Sequence, residues 1–279
     1  MKNLVVRTVT GILFVAVVVA SILLYEKTII PFAVLMSLVA VEGTREFLKM
    51  TGVAANRLVS VLAMMMVIPV VVFPALVHFP EPVFLTLILL LFFPVLSAVL
   101  LFQKNDGASS LRTLSFCLVP VFWIALPVML MFAMVEDSAP FLLALFIIIW
   151  LNDTLAYCAG SLFGRHKLCE RISPKKTWEG FLIALVLTVA ASVSFGYIGY
   201  FADEVMWSPL KWMGFALVVV LFGTLGDLVE SMIKRACGVK DSGNVLPGHG
   251  GVLDRFDSVL MATPAVFLYI VLVDIILVG

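Results

Sequence analysis

Apolar runs of about 20 residues recur from one end of this 279-residue chain to the other, and that recurrence decides what solvent it folds in. A stretch such as FLTLILLLFFPVLSAVLLF (84–102) carries no charge. In hydrocarbon its backbone groups can pair only within a helix or around a closed barrel. A barrel would show alternating segments of about 10 residues, and such runs do not alternate. The expected fold is therefore all-α: a polytopic membrane protein with about nine transmembrane helices, near 4–24, 28–48, 58–78, 83–103, 113–133, 140–162, 178–202, 211–233 and 258–278. Composition agrees, with 63% hydrophobic and 13% charged residues against roughly 45–50% and 25% in soluble domains. No stretch is polar enough for a separate soluble domain. The first span follows Lys2 and Arg7 as a signal peptide would, but VVVASILLYEK offers no small-x-small cleavage site, so it reads as a retained helix.

Lysine and arginine placement orients the spans. With the N-terminus in the cytoplasm, the inner segments hold Lys2 and Arg7; Arg45, Lys49 and Arg57; Lys104 and Arg112; Arg165, Lys167, Arg171, Lys175 and Lys176; and Lys234, Arg235, Lys240 and Arg255. Only Lys27 and Lys211 fall outside, as the positive-inside rule requires, and the C-terminus then faces out. The formal net charge of zero conceals this asymmetry, because Glu26, Glu81, Glu136, Asp137, Asp203 and Glu204 face the other way. The cytoplasmic face is suited to anions and anionic lipid; no nucleic-acid partner is expected. Cys117, Cys158, Cys169 and Cys237 lack CxxC or His-paired spacing and read as packing residues.

The chain changes character near residue 150. Residues 1–139 read as a helical scaffold of about five spans with short loops, and 140–279 as a catalytic half of about four spans with charged inner loops. Ionisable residues at membrane depth are costly, so their clustering marks a site. In IIIWLNDTLAYCAGSLFG, Asn152 and Asp153 interrupt an apolar run; Ala156, Gly160 and Gly164 follow at four-residue steps that admit a neighbouring helix. The bland reading of Asp153 is an interhelical hydrogen bond. The loop RHKLCERISPKKTWEGF brings Ser173, Pro174, Lys175, Lys176, Thr177 and Glu179 to the start of the seventh span. These residues suit a helix N-terminus, and the same N–H groups with two lysines suit phosphate. A capped, positive-inside loop is the simpler alternative.

Further on, Asp227, Glu230, Ser231 and Lys234 share one helix face, and LPGHGG provides a turn where backbone can approach a ligand. Asp254, Arg255 and Asp257 open the last span. Carboxylates from two helices among cations suit Mg²⁺ bridging to substrate phosphates, which points to phosphoryl or nucleotidyl transfer. The chain has no GxxxxGK[ST], HExxH or GxSxG, which argues against a P-loop enzyme, a zinc protease and a serine hydrolase. A transporter would also break helices with glycine and acids, but near the midplane rather than at one face.

The run Ser231, Lys234, Arg235, Lys240, Asp241, Gly243, Pro247, His249, Gly250, Gly251, Asp254, Arg255 and Asp257 resembles the signature of the phosphatidate cytidylyltransferases, also called CDP-diacylglycerol synthases. Asn152, Asp153, Ala156 and Tyr157, and SPKKTWEG from Ser173 to Gly180, are similar to that family too. The resemblance implies conversion of CTP and phosphatidate to CDP-diacylglycerol and pyrophosphate at the cytoplasmic face of an integral membrane protein, in the inner or plasma membrane of a bacterium. It implies Asp227 and Asp254 as the leading Mg²⁺ ligands with Asp257 near them, and leaves room for a second cation. Lys234, Arg235, Lys240 and Arg255 would hold phosphates, and Ser173 to Thr177 would help bind nucleotide or headgroup. It also implies a homodimer. His249 is a general base, a hydrogen-bond donor to phosphate or a turn residue; a phosphate monoester is already largely ionised near neutral pH, so a positioning role is assigned. A CTP-dependent kinase acting on a prenol or phytol-type lipid remains the alternative.

Overall fold

The computed structural model describes residues 2–76, 81–102, 107–245, 248 and 250–278. His249, Pro247 and Lys104 lie outside the described residues. Helices are α1 (Lys2–Leu23), α2 (Ile30–Met50), α3 (Arg57–Leu76), α4 (Glu81–Leu101), α5 (Gly107–Pro120), α6 (Leu126–Phe163), α7 (Trp178–Ser192), α8 (Gly199–Val205), α9 (Pro209–Ala236) and α10 (Leu253–Val278). Among the described residues, four helical runs are long and apolar enough to cross a membrane: Gly107–Phe163, Trp178–Gly196, Pro209–Ala236 and Leu253–Ile275, with mean hydropathies of 2.4, 1.8, 1.9 and 2.1. Large side chains such as Ile12, Leu38, Val186 and Leu268 stand exposed along the helices, as lipid-facing positions do. The molecule is an integral membrane protein.

Two details depart from the sequence reading. The fold is nearly, not wholly, α: strands β1 (Lys167–Cys169) and β2 (Ser173–Thr177) pair antiparallel, Lys167 opposite Thr177, where a plain loop was expected. Polar strands this short leave no trace in hydropathy. The expected span 178–202 is not one helix, because α7 ends at Ser192, a 3₁₀ turn follows over Val193–Gly196, and α8 begins at Gly199. Ser192 donates its hydroxyl to the Trp212 carbonyl at 3.2 Å, and Phe195 and Phe201 pack on Trp212, so side chains and the opposing helix satisfy the chain where it turns. The run Gly107–Phe163 is interrupted twice, the second time between the spans expected at 113–133 and 140–162. Pro120 has no N–H to continue the ladder and is followed by a π-helical segment, Val121–Ala125. Ser138 then takes extended backbone (φ −164°, ψ 102°) just before Pro140.

The chain forms two compact units: one of Met1–Phe132 with Cys237–Phe256, the other of Ala133–Ala236 with Asp257–Gly279. The segment rich in signature residues thus groups with the N-terminal helices rather than with residues 140–279. In the first unit α2 packs on α1, α3 and α5, around buried Phe32, Met36, Phe47 and Met66. In the second, α7 packs along α9, and Trp212, Phe215 and Phe146 are wholly buried.

Close approach in the second unit depends on glycine. A Cβ added at Gly180 of α7 would stand 2.9 Å from the Ala156 carbonyl and 3.0 Å from the Gly160 Cα, so α6 and α7 meet backbone to backbone, as the small-residue steps in α6 anticipated. Gly180→Ala should therefore destabilise the protein by about 1–3 kcal/mol, read as a lower melting temperature in detergent. An unchanged melting temperature would mean the helices part at no cost.

Candidate functional site

The second unit contains a cavity of about 300 Å³. The C-terminal third of α6 supplies Asn152, Asp153, Tyr157 and Ser161; the hairpin supplies Leu168, Lys175, Lys176 and Thr177; α7 adds Phe181, and α9 adds Thr224 and Asp227. Three stretches picked from sequence therefore converge on one space. Thr177 is buried and caps α7, its hydroxyl oxygen accepting from Gly180 N at 3.2 Å. That cap turns the strand into the helix and sets Lys176, one residue earlier, over the cavity. Lys176 Nζ lies 2.6 Å from Asp227 Oδ2, with both side chains about a third exposed. Asp227 Oδ1 accepts from the Ser231 hydroxyl at 3.2 Å, one turn further along α9.

Behind this pair the helix face is dry. Lys234 Nζ contacts Glu230 Oε2 at 2.5 Å, with Glu230 fully buried and Lys234 nearly so. Asp257, at the start of α10, is buried, and its Oδ1 accepts from Ser258 N at 2.7 Å. It lies in the fields of Asp227, Glu230 and Lys234. Gly226 permits this approach, since a Cβ there would run into the Asp257 carbonyl. Asn152 is buried, and its side-chain oxygen has no hydrogen-bond partner among the described residues. A buried acceptor left unmatched beside a cavity is poised for a donor from a ligand.

The donor set fits Mg²⁺. Asp227 and Asp257 are hard oxygen donors close enough to repel each other, and a divalent cation relieves such repulsion. Among the described residues no three or more His, Cys, Asp or Glu side chains gather as a closed metal cage. Mg²⁺ needs none, since it commonly binds through one or two carboxylates, waters and substrate phosphates.

Other residues singled out in the sequence serve elsewhere. Glu179 accepts from Arg165 N at 3.0 Å and His166 N at 3.1 Å and meets His166 Nδ1 at 2.5 Å, clasping the entry to the hairpin instead of lining the cavity. Ser173 and Pro174 belong to β2 and are absent from the cavity wall. Lys240, Asp241, Asp254 and Arg255 belong to the first unit. There Lys240, Asp241 and Arg255 are exposed, while Asp254 is a loop organiser: its carboxylate accepts from Ser242 N at 3.0 Å and Gly251 N at 2.8 Å. Gly250 sits between them at φ +83°, left-handed backbone that glycine enters without strain. Burial pushes the neighbouring Cys237 thiol up, with Arg112 offsetting part of the effect, so the thiol stays protonated and unreactive.

One residue escaped the sequence reading. Glu46, in α2, is buried and holds the same loop: Ser242 Oγ donates to it at 3.0 Å, Val252 N at 3.0 Å and Leu253 N at 2.9 Å. The signal was present in an acid near the end of an otherwise apolar span. Only the cations of that span had been weighed, for orientation.

Comparison with known proteins gives consistent matches. The model of the cytidylyltransferase family matches residues 5–273. A phosphatidate cytidylyltransferase of Staphylococcus aureus (strain COL) is 36% identical over 262 residues, covering 93% of this chain and 96% of the relative. Those of Staphylococcus haemolyticus (strain JCSC1435) and Staphylococcus epidermidis (strain ATCC 12228) are each 34% identical, over 261 and 262 residues, with the same coverage.

Proposed function

The chain belongs to the cytidylyltransferase family, and from that membership we propose that it transfers the cytidylyl group of CTP to phosphatidate, forming CDP-diacylglycerol and pyrophosphate for phospholipid synthesis. The observation that carries the site is the meeting of hairpin Lys176 with Asp227 of α9 at the wall of the cavity, beside Lys175 and the unmatched Asn152 oxygen. A phosphate oxygen of phosphatidate attacks the α-phosphorus of CTP. A new P–O bond forms there, the bond from the α-phosphorus to the bridging oxygen breaks, and pyrophosphate leaves with the electron pair. No proton need be removed from the attacking phosphate, so no base is required.

Lys175 and Lys176 bind and orient phosphate where nucleotide and headgroup meet, and Lys176 exchanges Asp227 for the substrate. Lys240 and Arg255 hold the remaining triphosphate oxygens; the Lys234–Glu230 pair keeps the helix face rigid and excludes water. Asp227 of this wall and Asp257 buried behind it, and Asp254 by the family signature, would hold Mg²⁺, which when bound neutralises charge that shifts toward the leaving oxygens. Arg235 lies beside this group in sequence and His249 within the segment LPGHGG; both are assigned to positioning phosphate. A homodimer is part of the same reading. Phosphatidate-dependent release of pyrophosphate by the purified enzyme, requiring CTP and Mg²⁺, tests it; release without phosphatidate, or none, would count against it.

The topology proposed is nine crossings, with Gly107–Phe163 counted as two because of its break at Ser138, the N-terminus inside and the C-terminus outside. The basic segments then share the face on which CTP is available. Fusions at Gly279 should give an active reporter of the outer compartment and an inactive cytoplasmic one. The reverse would make the crossing number even.

A further inference from the structure

We propose that Glu46 is a positioning residue for the nucleotide: a carboxylate from the N-terminal scaffold that fixes the two ends of a glycine-rich loop, Ser242 and Val252–Leu253, in their substrate-binding positions. The inference rests on the cytidylyltransferase reading above. Both Glu46 oxygens are committed, Oε1 to Val252 N and Oε2 to Leu253 N and the Ser242 hydroxyl, so one side chain ties the two ends of the loop together. Leu253 opens α10, and the first N–H groups of a helix have no partner within it. Glu46 therefore caps α10 from another helix, with its negative charge at the positive end of the helix dipole.

Two glycines of the loop make the fit possible. A Cβ on Gly243 or on Gly251 would collide with the Glu46 carboxylate. The loop closes around the acid on one side, and beside it lies a polar cavity of about 230 Å³ bounded by Glu42, Arg45 and Lys49 of α2 and by residues 242–245. Asp254 ties the same loop internally through Ser242 N and Gly251 N. Ser242 is thus held twice, by its hydroxyl to Glu46 and by its N–H to Asp254. Lys240 and Asp241 precede the loop and Arg255 follows it, so release of the clamp displaces the groups assigned to the triphosphate.

The test compares full-length wild type, Glu46→Gln and Gly243→Ala, reconstituted in phosphatidate-containing vesicles, with Glu42→Gln one helical turn away as control. Glutamine keeps the volume but replaces one acceptor oxygen by an NH₂ group, which then faces one or two of the three donors. Glu46→Gln should raise the KM for CTP by roughly tenfold or more, with the KM for phosphatidate and the melting temperature little changed. Gly243→Ala, which crowds the carboxylate without removing it, should shift the CTP KM in the same direction. Ser242→Ala should add little in the Glu46→Gln background, since the two act as a unit. Glu42→Gln should match wild type. If Glu46→Gln does not accumulate in folded form, Gly243→Ala carries the same comparison. A wild-type CTP KM in both variants, or a fall in kcat with both KM values unmoved, would overturn the proposal. Absence of lipid product from the wild type would instead refute the assignment of function.

Discussion

Asp227→Asn should abolish turnover, lowering kcat by more than about a thousandfold at saturating CTP, phosphatidate and Mg²⁺. Asparagine preserves the shape and can still accept from the Ser231 hydroxyl, so α9 should remain folded. What disappears is the charge. Without it the wall offers one carboxylate fewer to a cation, and Lys176, 2.6 Å away, loses its counter-ion before substrate arrives. Initial rates, measured alongside size-exclusion elution and helical circular dichroism, separate a dead site from a collapsed protein. Turnover within tenfold of wild type would remove Asp227 from the metal site.

The second large effect concerns phosphate holders. Lys176→Ala, and separately Lys175→Ala, Lys240→Ala and Arg255→Ala, should each reduce kcat/KM by about 10- to 150-fold, the equivalent of one lost charged hydrogen bond of about 1.5–3 kcal/mol. Arg112→Ala is the contrast. Its guanidinium lies over the Phe116 ring at 5.8 Å on α5, and in this account it serves topology alone. Assays at matched protein level should leave Arg112→Ala near wild type. Equal losses at all five positions would mean that the basic residues act as a diffuse field and not as ligands.

Much of this arrangement is legible in sequence because membrane folding is governed by a coarse variable. Runs of about 20 apolar residues dictate helices, and the observed α2, α3, α4 and α9 begin and end within a few residues of the hydropathy limits. The helical face of Asp227, Glu230, Ser231 and Lys234 follows from a 3.6-residue period alone, and its two i, i+4 contacts are formed. Thr177 as a cap was likewise legible, because a hydroxyl before an apolar run has few other uses.

What sequence did not reveal depends on finer or more distant terms. The hairpin at 167–177 is held by Glu179, whose carboxylate reaches back to the Arg165 and His166 N–H groups; a first-turn acid looks the same in sequence whether it serves its own helix or another segment. Glu46 lies about 200 residues before the loop it holds, and no local pattern encodes that pairing. The loop Cys237–Phe256 belongs to one unit with the N-terminal helices, a grouping that charge density along the chain does not encode.

The destination of the cytidine label tests the central claim most directly. Purified enzyme would be incubated with phosphatidate, Mg²⁺ and CTP carrying radiolabel either on the α-phosphate or on the γ-phosphate, and the lipid extracted. Cytidylyl transfer predicts α-label in the lipid phase and γ-label only in aqueous pyrophosphate. Label from the γ-phosphate in lipid would reveal a kinase, and label from neither in lipid would contradict the account altogether.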